Sequence, residues 1–238
     1  PAVMIAVIDE SKGGDAIVAA PGKPIPSIDA LKGRKDLRIA FTPSSPSHHL
    51  LKVASAHFDV PELLPQRGSE RIETEGSSEA LRKLLAGASD LAVLWQPDVS
   101  RAMAKNATVL LSTRETAQVI VDVLLVRREF ADDHPEAIKL LLSTYFRVLK
   151  TYRGQPDLLV EDVLKAPEIA KDLTKDDVIA MLNGVRWVNM HENCIEWFGI
   201  SRYQQHATSN IILTVQSVVD VLVRNGDFST NPLPNKDP

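Results

Sequence analysis

Three short stretches of this chain carry side chains that could do chemistry. The first is Thr42-Pro43-Ser44-Ser45-Pro46-Ser47-His48-His49, which crowds hydroxyls and imidazoles into one turn. The second is Trp95-Gln96-Pro97-Asp98, and the third runs from Ser11 through Gly13-Gly14 to Asp15. Hydroxyls, amides and first-turn N–H groups of this kind hold a polar or anionic ligand by hydrogen bonding, most readily at a helix start. Covalent or acid–base chemistry is not signalled. There is no Walker phosphate loop, no GxGxxG and no serine in a GxSxG elbow. His48 and His49 are adjacent, so on a helix they point different ways and make no two-histidine metal face. His134, His191 and His206 lie far apart without ligand spacing. His191-Glu192-Asn193-Cys194 mixes metal-ligand types but reads as a polar turn before a helix.

The elements around these stretches explain why they could act together. Residues 37–41 form an apolar run that reads as a buried strand. Residues 46–58 have helical spacing, with Leu50, Val53, Ala54 and Phe58 recurring on one side. Ser45 is therefore placed to cap the helix, and Pro46 occupies the first helical position, where a missing N–H costs nothing. The hydroxyl-rich turn joins the carboxyl end of a strand to the start of a helix, where α/β folds hold ligands. An ordinary capped βα loop fits the same residues. Residues 90–94 repeat the arrangement, a buried strand followed at once by Trp95-Gln96-Pro97-Asp98 and a helix over 99–105. Residues 4–8 and 16–20 read as strands separated by the Gly13-Gly14 turn, which suits either a hairpin or a close backbone approach to a ligand.

Elsewhere the pattern is also regular. Residues 21–26, Pro-Gly-Lys-Pro-Ile-Pro, read as a stiff connector between lobes. Ser27 caps one helical turn that Gly33 ends. Residues 60–65 read as loop, 78–86 as a helix with Leu81, Leu84 and Leu85 at helical spacing, and 109–111 as a short strand. Residues 119–126 are an apolar run broken by Asp122, a carboxylate that should be paired or sit at a crossing between lobes. The second half reads as helical: 135–152, 158–164, a helix with a capping box at Thr174–Asp177 that ends at Gly184, and 209–225. Tyr152, Trp187, Trp197 and Phe198 read as core or packing aromatics. The tail over 231–238 reads as extended.

Composition narrows the function classes. The chain has 238 residues, 44% of them apolar and 24% charged, with a formal net charge of −4, so it is ordinary for a globular protein and lacks the basic footprint of a nucleic-acid binder. One cysteine, Cys194, excludes an intramolecular disulfide and a cysteine-based zinc cluster. No apolar run reaches the roughly 18 residues that a membrane-spanning helix requires.

The order of several motifs carries a resemblance. These are GGDAIVA at 13–19, SIDALKG at 27–33, IAFTPSSPSHHLL at 39–51, LAGASDLAVLWQPDVSRA at 85–102, VIVDVLLVRREF at 119–130 and HPEAIKLLLSTYF at 134–146. Together they resemble the type II periplasmic substrate-binding proteins of ABC importers, within the bacterial group related to nitrate, sulfonate, taurine and thiamine-precursor binders. The resemblance runs from residue 5 to about 226.

The resemblance implies an α/β fold of two lobes joined by two crossing strands, with the ligand clamped between them. It places a crossing segment and part of lobe one at 1–32, an α/β lobe two at 33–118, and the return strand with the C-terminal helices of lobe one at 119–238. It also implies about two further βα units before residue 1, so that lobe one is incomplete here. Ser45 and His48 match the family's Ser-x-x-His at a helix start. Trp95 and Pro97 match its Trp-Glu-Pro turn, with Gln96 replacing the usual Glu and removing a negative charge beside the ligand. Ser11 and Asp15 match cleft-edge positions. Thr42, Ser44 and Ser47 complete the expected ligand-binding set, although Pro46 and Ser47 depart from the commoner residues.

The implied function is a solute-binding protein, not an enzyme. It would capture a small polar or anionic ligand and deliver it to an ABC transporter permease. It would need no cofactor or metal and no nucleic acid, and it would work in the periplasm or outside the cell, meeting the membrane only through the permease. Two alternatives stay open. One is an enzyme on the same fold, like the pyrimidine-precursor synthases, whose cysteine-rich motif is missing here. The other is the ligand-sensing domain of a larger protein.

Overall fold

The computed structural model describes residues 2–64, 69–168, 170–200 and 209–233. His206, Pro65 at the end of the expected loop and the last five residues of the tail lie outside them. Strand β1 (Ala2–Ser11) is longer than its apolar run, and the glycine turn leads into β2 (Asp15–Ala19). One 3-10 turn at Ile28–Leu31 precedes β3 (Arg38–Phe41) and α1 (Pro46–His57). Then come β4 (Glu70–Glu73), α2 (Ser77–Leu85), β5 (Leu91–Trp95), α3 (Asp98–Met103) and β6 (Thr108–Ser112). The remainder is β7 (Val121–Arg127), α4 (Arg128–Asp133), α5 (Pro135–Gly154), α6 (Pro156–Lys165), α7 (Lys175–Asn183) and β8 (Val185–Trp187). Helix α8 (Met190–Glu192) runs into a π turn at Asn193–Trp197, and α9 (Asn210–Arg224) follows.

Contacts divide the chain into two units, one of Pro1–Ser11 with Val121–Leu213 and one of Lys12–Ile120 with Thr214–Pro238. This division differs from the boundaries expected from the sequence. Residues 12–32 fall within the second unit because β2 is an inner strand of its sheet, antiparallel to both β5 and β6. The expected inter-lobe connector at 21–26 is part of that unit too, and Ile25 lies in its core at 1% exposure. The end of the chain groups there as well. Lys52 Nζ lies 2.5 Å from Asp227, and Asn225 Nδ2 donates to the Lys52 carbonyl.

The second unit has a five-stranded sheet in the order β4-β3-β5-β2-β6, with β3 parallel to β4 and β5. Both faces are covered. Ile17, Ile39, Phe41, Leu91 and Val93 pack with Leu50, Leu51 and Ala54 of α1. Ala16, Val18, Ala40, Ala92 and Leu94 pack with Ala80, Leu81 and Leu84 of α2 and with α3. Strands buried on two faces read as continuous apolar runs, which is why β2, β3 and β5 were visible in the sequence. Leu81 and Leu84 are buried as their spacing predicts, while Leu85 turns outward. At the far end of the sheet Asp90 takes hydrogen bonds from Arg38 and lies 2.7 Å from Lys23 Nζ. Burial pushes the Asp90 carboxyl up, but those two cations outweigh it and hold the group well below the usual carboxylate range.

The first unit has an antiparallel sheet, β7-β1-β8. Its core is thin: Val7, Val188, Trp197 and Ile211 are buried together, with Val121, Val123 and Phe198 against them. Trp197 is fully buried as expected, whereas Tyr152, Trp187 and Phe198 are half-buried. Asp122, expected to be paired or at a crossing, is exposed on β7, the second residue after the chain passes from the second unit into the first. The Asn193 carboxamide takes both backbone groups of Val7. Val7 N–H donates to Oδ1 at 2.7 Å, and Nδ2 donates to the Val7 carbonyl at 3.0 Å. The sequence expectation of a simple polar turn at 191–194 therefore missed a fixed contact. The capping box at Thr174–Asp177 forms as predicted.

Candidate functional site

Register places most of the predicted residues at one end of the five-stranded sheet. Phe41 lies opposite Glu73, Asp15 opposite Trp95, and Ala16 opposite Ser112. So the turns after β3, β4, β5 and β6 and the start of β2 share that end. It is the carboxyl end of the parallel strands, where such sheets present ligand-binding groups.

The Thr42–Ser47 turn is built by its own hydroxyls. Ser45 caps α1 as expected, accepting from His48 N–H at 3.5 Å, with Pro46 at the first helical position. Ser45 Oγ also donates to the Thr42 carbonyl at 2.6 Å and sits 2.8 Å from Ser47 Oγ. The Thr42 N–H donates to Ser47 Oγ at 3.4 Å. Thr42 Oγ1 lies 3.3 Å from Thr74 Oγ1, which brings the end of β4 into the cluster. Ser47 is fully buried, and Ser44 is exposed with a left-handed φ of 54°. Among the described residues none of these hydroxyls is bonded to a side-chain base, and the turn offers hydrogen bonds.

The ring of His48 lies 4.9 Å from that of Phe41, tilted by 56°. Burial, then the nearby cations of Lys52 and Arg71, push the His48 pKa down. His49 is pushed further, to about 4, by burial, Lys52 and His48. Both imidazoles are therefore neutral at neutral pH.

On the neighbouring turn, Trp95 is half-buried, and its backbone N–H donates to Ser77 Oγ at 3.1 Å. The Gln96 side chain is engaged locally: Oε1 accepts from Ser100 N–H at 3.2 Å and from Ser100 Oγ at 2.9 Å. The backbone N–H of Gln96 donates to the Gly14 carbonyl at 2.8 Å, tying this turn to the glycine turn. Asp98, next in the stretch, is buried against Ser78 and Arg101. Thr113 completes the end. Its Oγ1 accepts from Gly13 N–H at 2.9 Å and from Asp15 N–H at 3.3 Å. Gly13 has φ +102° with the Arg114 guanidinium 3.1 Å from where a Cβ would stand, so only glycine fits there without a shift. Asp15 is buried at the head of β2. Ser11, by contrast, ends β1 in the other unit.

The structure thus brings Asp15, Thr42, Ser44, Ser45, Ser47, His48, Trp95 and Gln96 to one end of one sheet. Sequence reasoning missed Arg71, Thr74, Ser77 and Thr113 there. Among the described residues no group of three His, Cys, Asp or Glu side chains is placed to hold a metal ion. No described helix is long and apolar enough to cross a membrane.

This architecture is the type II periplasmic-binding-protein fold. Among known proteins, the chain is 24% identical over 194 residues to the taurine-binding periplasmic protein of Escherichia coli, a match covering 79% of this chain and 58% of that protein. The crystal structure of the periplasmic aliphatic sulphonate-binding protein of Escherichia coli superposes with a TM-score of 0.70 at 17% identity, covering 97% of this chain and 70% of that one. A desulfurization enzyme shares the fold at a TM-score of 0.61 and 10% identity, covering 97% of this chain and 74% of the enzyme. No protein-family model matches the chain.

Proposed function

We propose that this chain is part of a solute-binding protein that captures a small polar or anionic ligand and delivers it to an ABC importer. The observation that carries this reading is the polar sheet end of the second unit. Ser45, Ser47, Thr42 and Thr74 cluster there beside His48 and Trp95, with hydroxyls bonded to each other and to backbone. The binding functions named for the taurine and sulphonate relatives support it. On this reading Asp15, Thr42, Ser44, Ser45, Ser47, His48, Trp95 and Gln96 contact the ligand. The chain catalyses nothing, works in the periplasm or outside the cell, and meets a membrane permease.

Calorimetry and thermal shift against taurine, methanesulfonate, nitrate, phosphate and a pyrimidine test the reading. Binding of one of them is expected, and Ser45→Ala or Trp95→Ala should each weaken it by about 1–3 kcal/mol. Unchanged affinity in both variants would remove the site assignment. A shift with none of the compounds would remove the reading.

The shared fold of the desulfurization enzyme favours a second reading, an enzyme on the same scaffold. Release of sulfite or sulfate from an organosulfur compound by the purified chain would establish that reading and displace the first.

A further inference from the structure

The side chain of Arg71 differs from those of Arg38 and Arg186, the other half-buried strand arginines described. Arg38 is met by Asp90 at 3.0 Å, and Arg186 by Glu10 at 3.1 Å. Among the described residues Arg71 forms no ion pair with a carboxylate. Its Nε and Nη1 are buried without a hydrogen-bond partner. The ring of Phe41 lies 5.2 Å beneath the guanidinium carbon. Burial pushes its pKa down to about 10, so it stays protonated at neutral pH.

The placement follows from register. Arg71 is opposite Ile39 in the parallel pair β3–β4, so its side chain shares the sheet face of Ile39 and Phe41. The ring of Phe41 also touches His48, in the first turn of α1. Arg71, Phe41 and His48 therefore stand together beside the Thr42–Ser47 turn. The cationic field of Arg71 and Lys52 is felt at His48. Stacking on an aromatic ring compensates part of the charge but satisfies none of the N–H groups. A structural role does not account for two buried, unpartnered guanidinium nitrogens, since an unbranched apolar side chain would cover Phe41 without that cost.

We propose that Arg71 is the specificity-determining charge of the site, receiving the oxyanion group of an anionic ligand and excluding neutral ones of the same shape. Sulfonate, sulfate, phosphate and carboxylate share the needed chemistry, a negative charge spread over acceptor oxygens. The inference rests on the solute-binding reading and adds to it the class of ligand and the residue that selects it.

The test titrates the full chain with methanesulfonate, sulfate, phosphate and acetate, and with methanesulfonamide as the neutral counterpart. One anion should bind the unsubstituted protein roughly 100-fold tighter than the neutral compound, because a desolvated ion pair is at stake. Arg71→Met keeps a stem over Phe41 and should bring that preference down to within about 3-fold, while Arg71→Lys recovers part of it. Because the charge is uncompensated without ligand, Arg71→Met should also melt about 2–6 °C higher than the parent when ligand is absent. A preference for the anion that survives in Arg71→Met overturns the inference and leaves the solute-binding reading standing. An Arg71→Met protein that melts lower or fails to fold assigns Arg71 to stability and also overturns it. If the parent binds none of the compounds, the solute-binding reading falls and the inference falls with it.

Discussion

The two units of this chain use apolar surface in opposite ways. In the second unit a sheet buried on both faces is sealed by α1 on one side and by α2 and α3 on the other. In the first unit the buried cluster is small, and large apolar side chains stand in the open. Leu125 is 54% exposed, Leu140 68% and Met190 57%. Along α5 only Leu149 is buried, although the sequence shows an amphipathic stripe over the whole helix. Amphipathic spacing states that a face is able to be buried. Whether it is depends on what stands opposite. The contrast also explains why the polar cluster belongs to the second unit. A site held to within a fraction of an ångström needs strands and helices locked by packing on both sides.

Substitutions can sharpen this contrast, beginning with the largest effect. Leu91→Ala or Leu50→Ala, each fully buried in the second unit, should lower its stability by about 2–5 kcal/mol. Amide exchange during urea unfolding reads the loss unit by unit, and a loss confined to the first unit would break the comparison.

Acidification should act on the same unit. The folded-state pKa of His49 is about 4, below its ordinary 6.5, so the unfolded chain takes up the proton first. The stability this residue confers is complete above about pH 6.5 and is lost as pH falls toward 4, by up to about 3 kcal/mol. Melting temperatures of the parent and of His49→Asn across that range should converge as pH falls. Parallel curves would show that the imidazole is not held neutral by the fold.

Asp90→Asn should cost about 1–3 kcal/mol, since it leaves Arg38 and Lys23 without their carboxylate. Denaturant midpoints measure it. The smallest effect belongs to Leu140→Gln, whose side chain is already in water. A change in stability beyond about 0.5 kcal/mol would show that the first unit packs more surface than its contacts imply.

How much of this was readable before the structure depended on the length and context of each element. The β3–α1 and β5–α3 turns were legible because a buried strand, a cap and a helical repeat follow one another with little ambiguity. Ser45, Pro46 and the Thr174 capping box sit where their chemistry puts them. β4 was not legible. Its four residues, Glu70–Glu73, hold one apolar side chain and lie at the sheet edge, so neither periodicity nor propensity marks them. Arg71 and Thr74 were lost with it, because only parallel pairing with β3 carries them to the Thr42 turn. Thr113 was missed for a similar reason, as its partners Gly13 and Asp15 lie about a hundred positions away. The Gln96 oxygen meets Ser100 four positions on, a local spacing the sequence did contain.

Asn193 has a wider consequence than its place in a π turn suggests. Strand β8 covers β1 only from Asp9 to Ser11, so Val7 would otherwise present a bare amide and carbonyl on that side. The Asn193 carboxamide occupies both, serving as a one-residue surrogate for a peptide of the absent neighbouring strand. It thereby denies that stretch of edge to any foreign chain seeking to extend the sheet, a guard against self-association written in a single side chain. Its signature is an amide at Val7 that exchanges slowly although β8 does not reach it. Replacing the carboxamide with an isosteric leucine would free that amide and open the edge at the same moment.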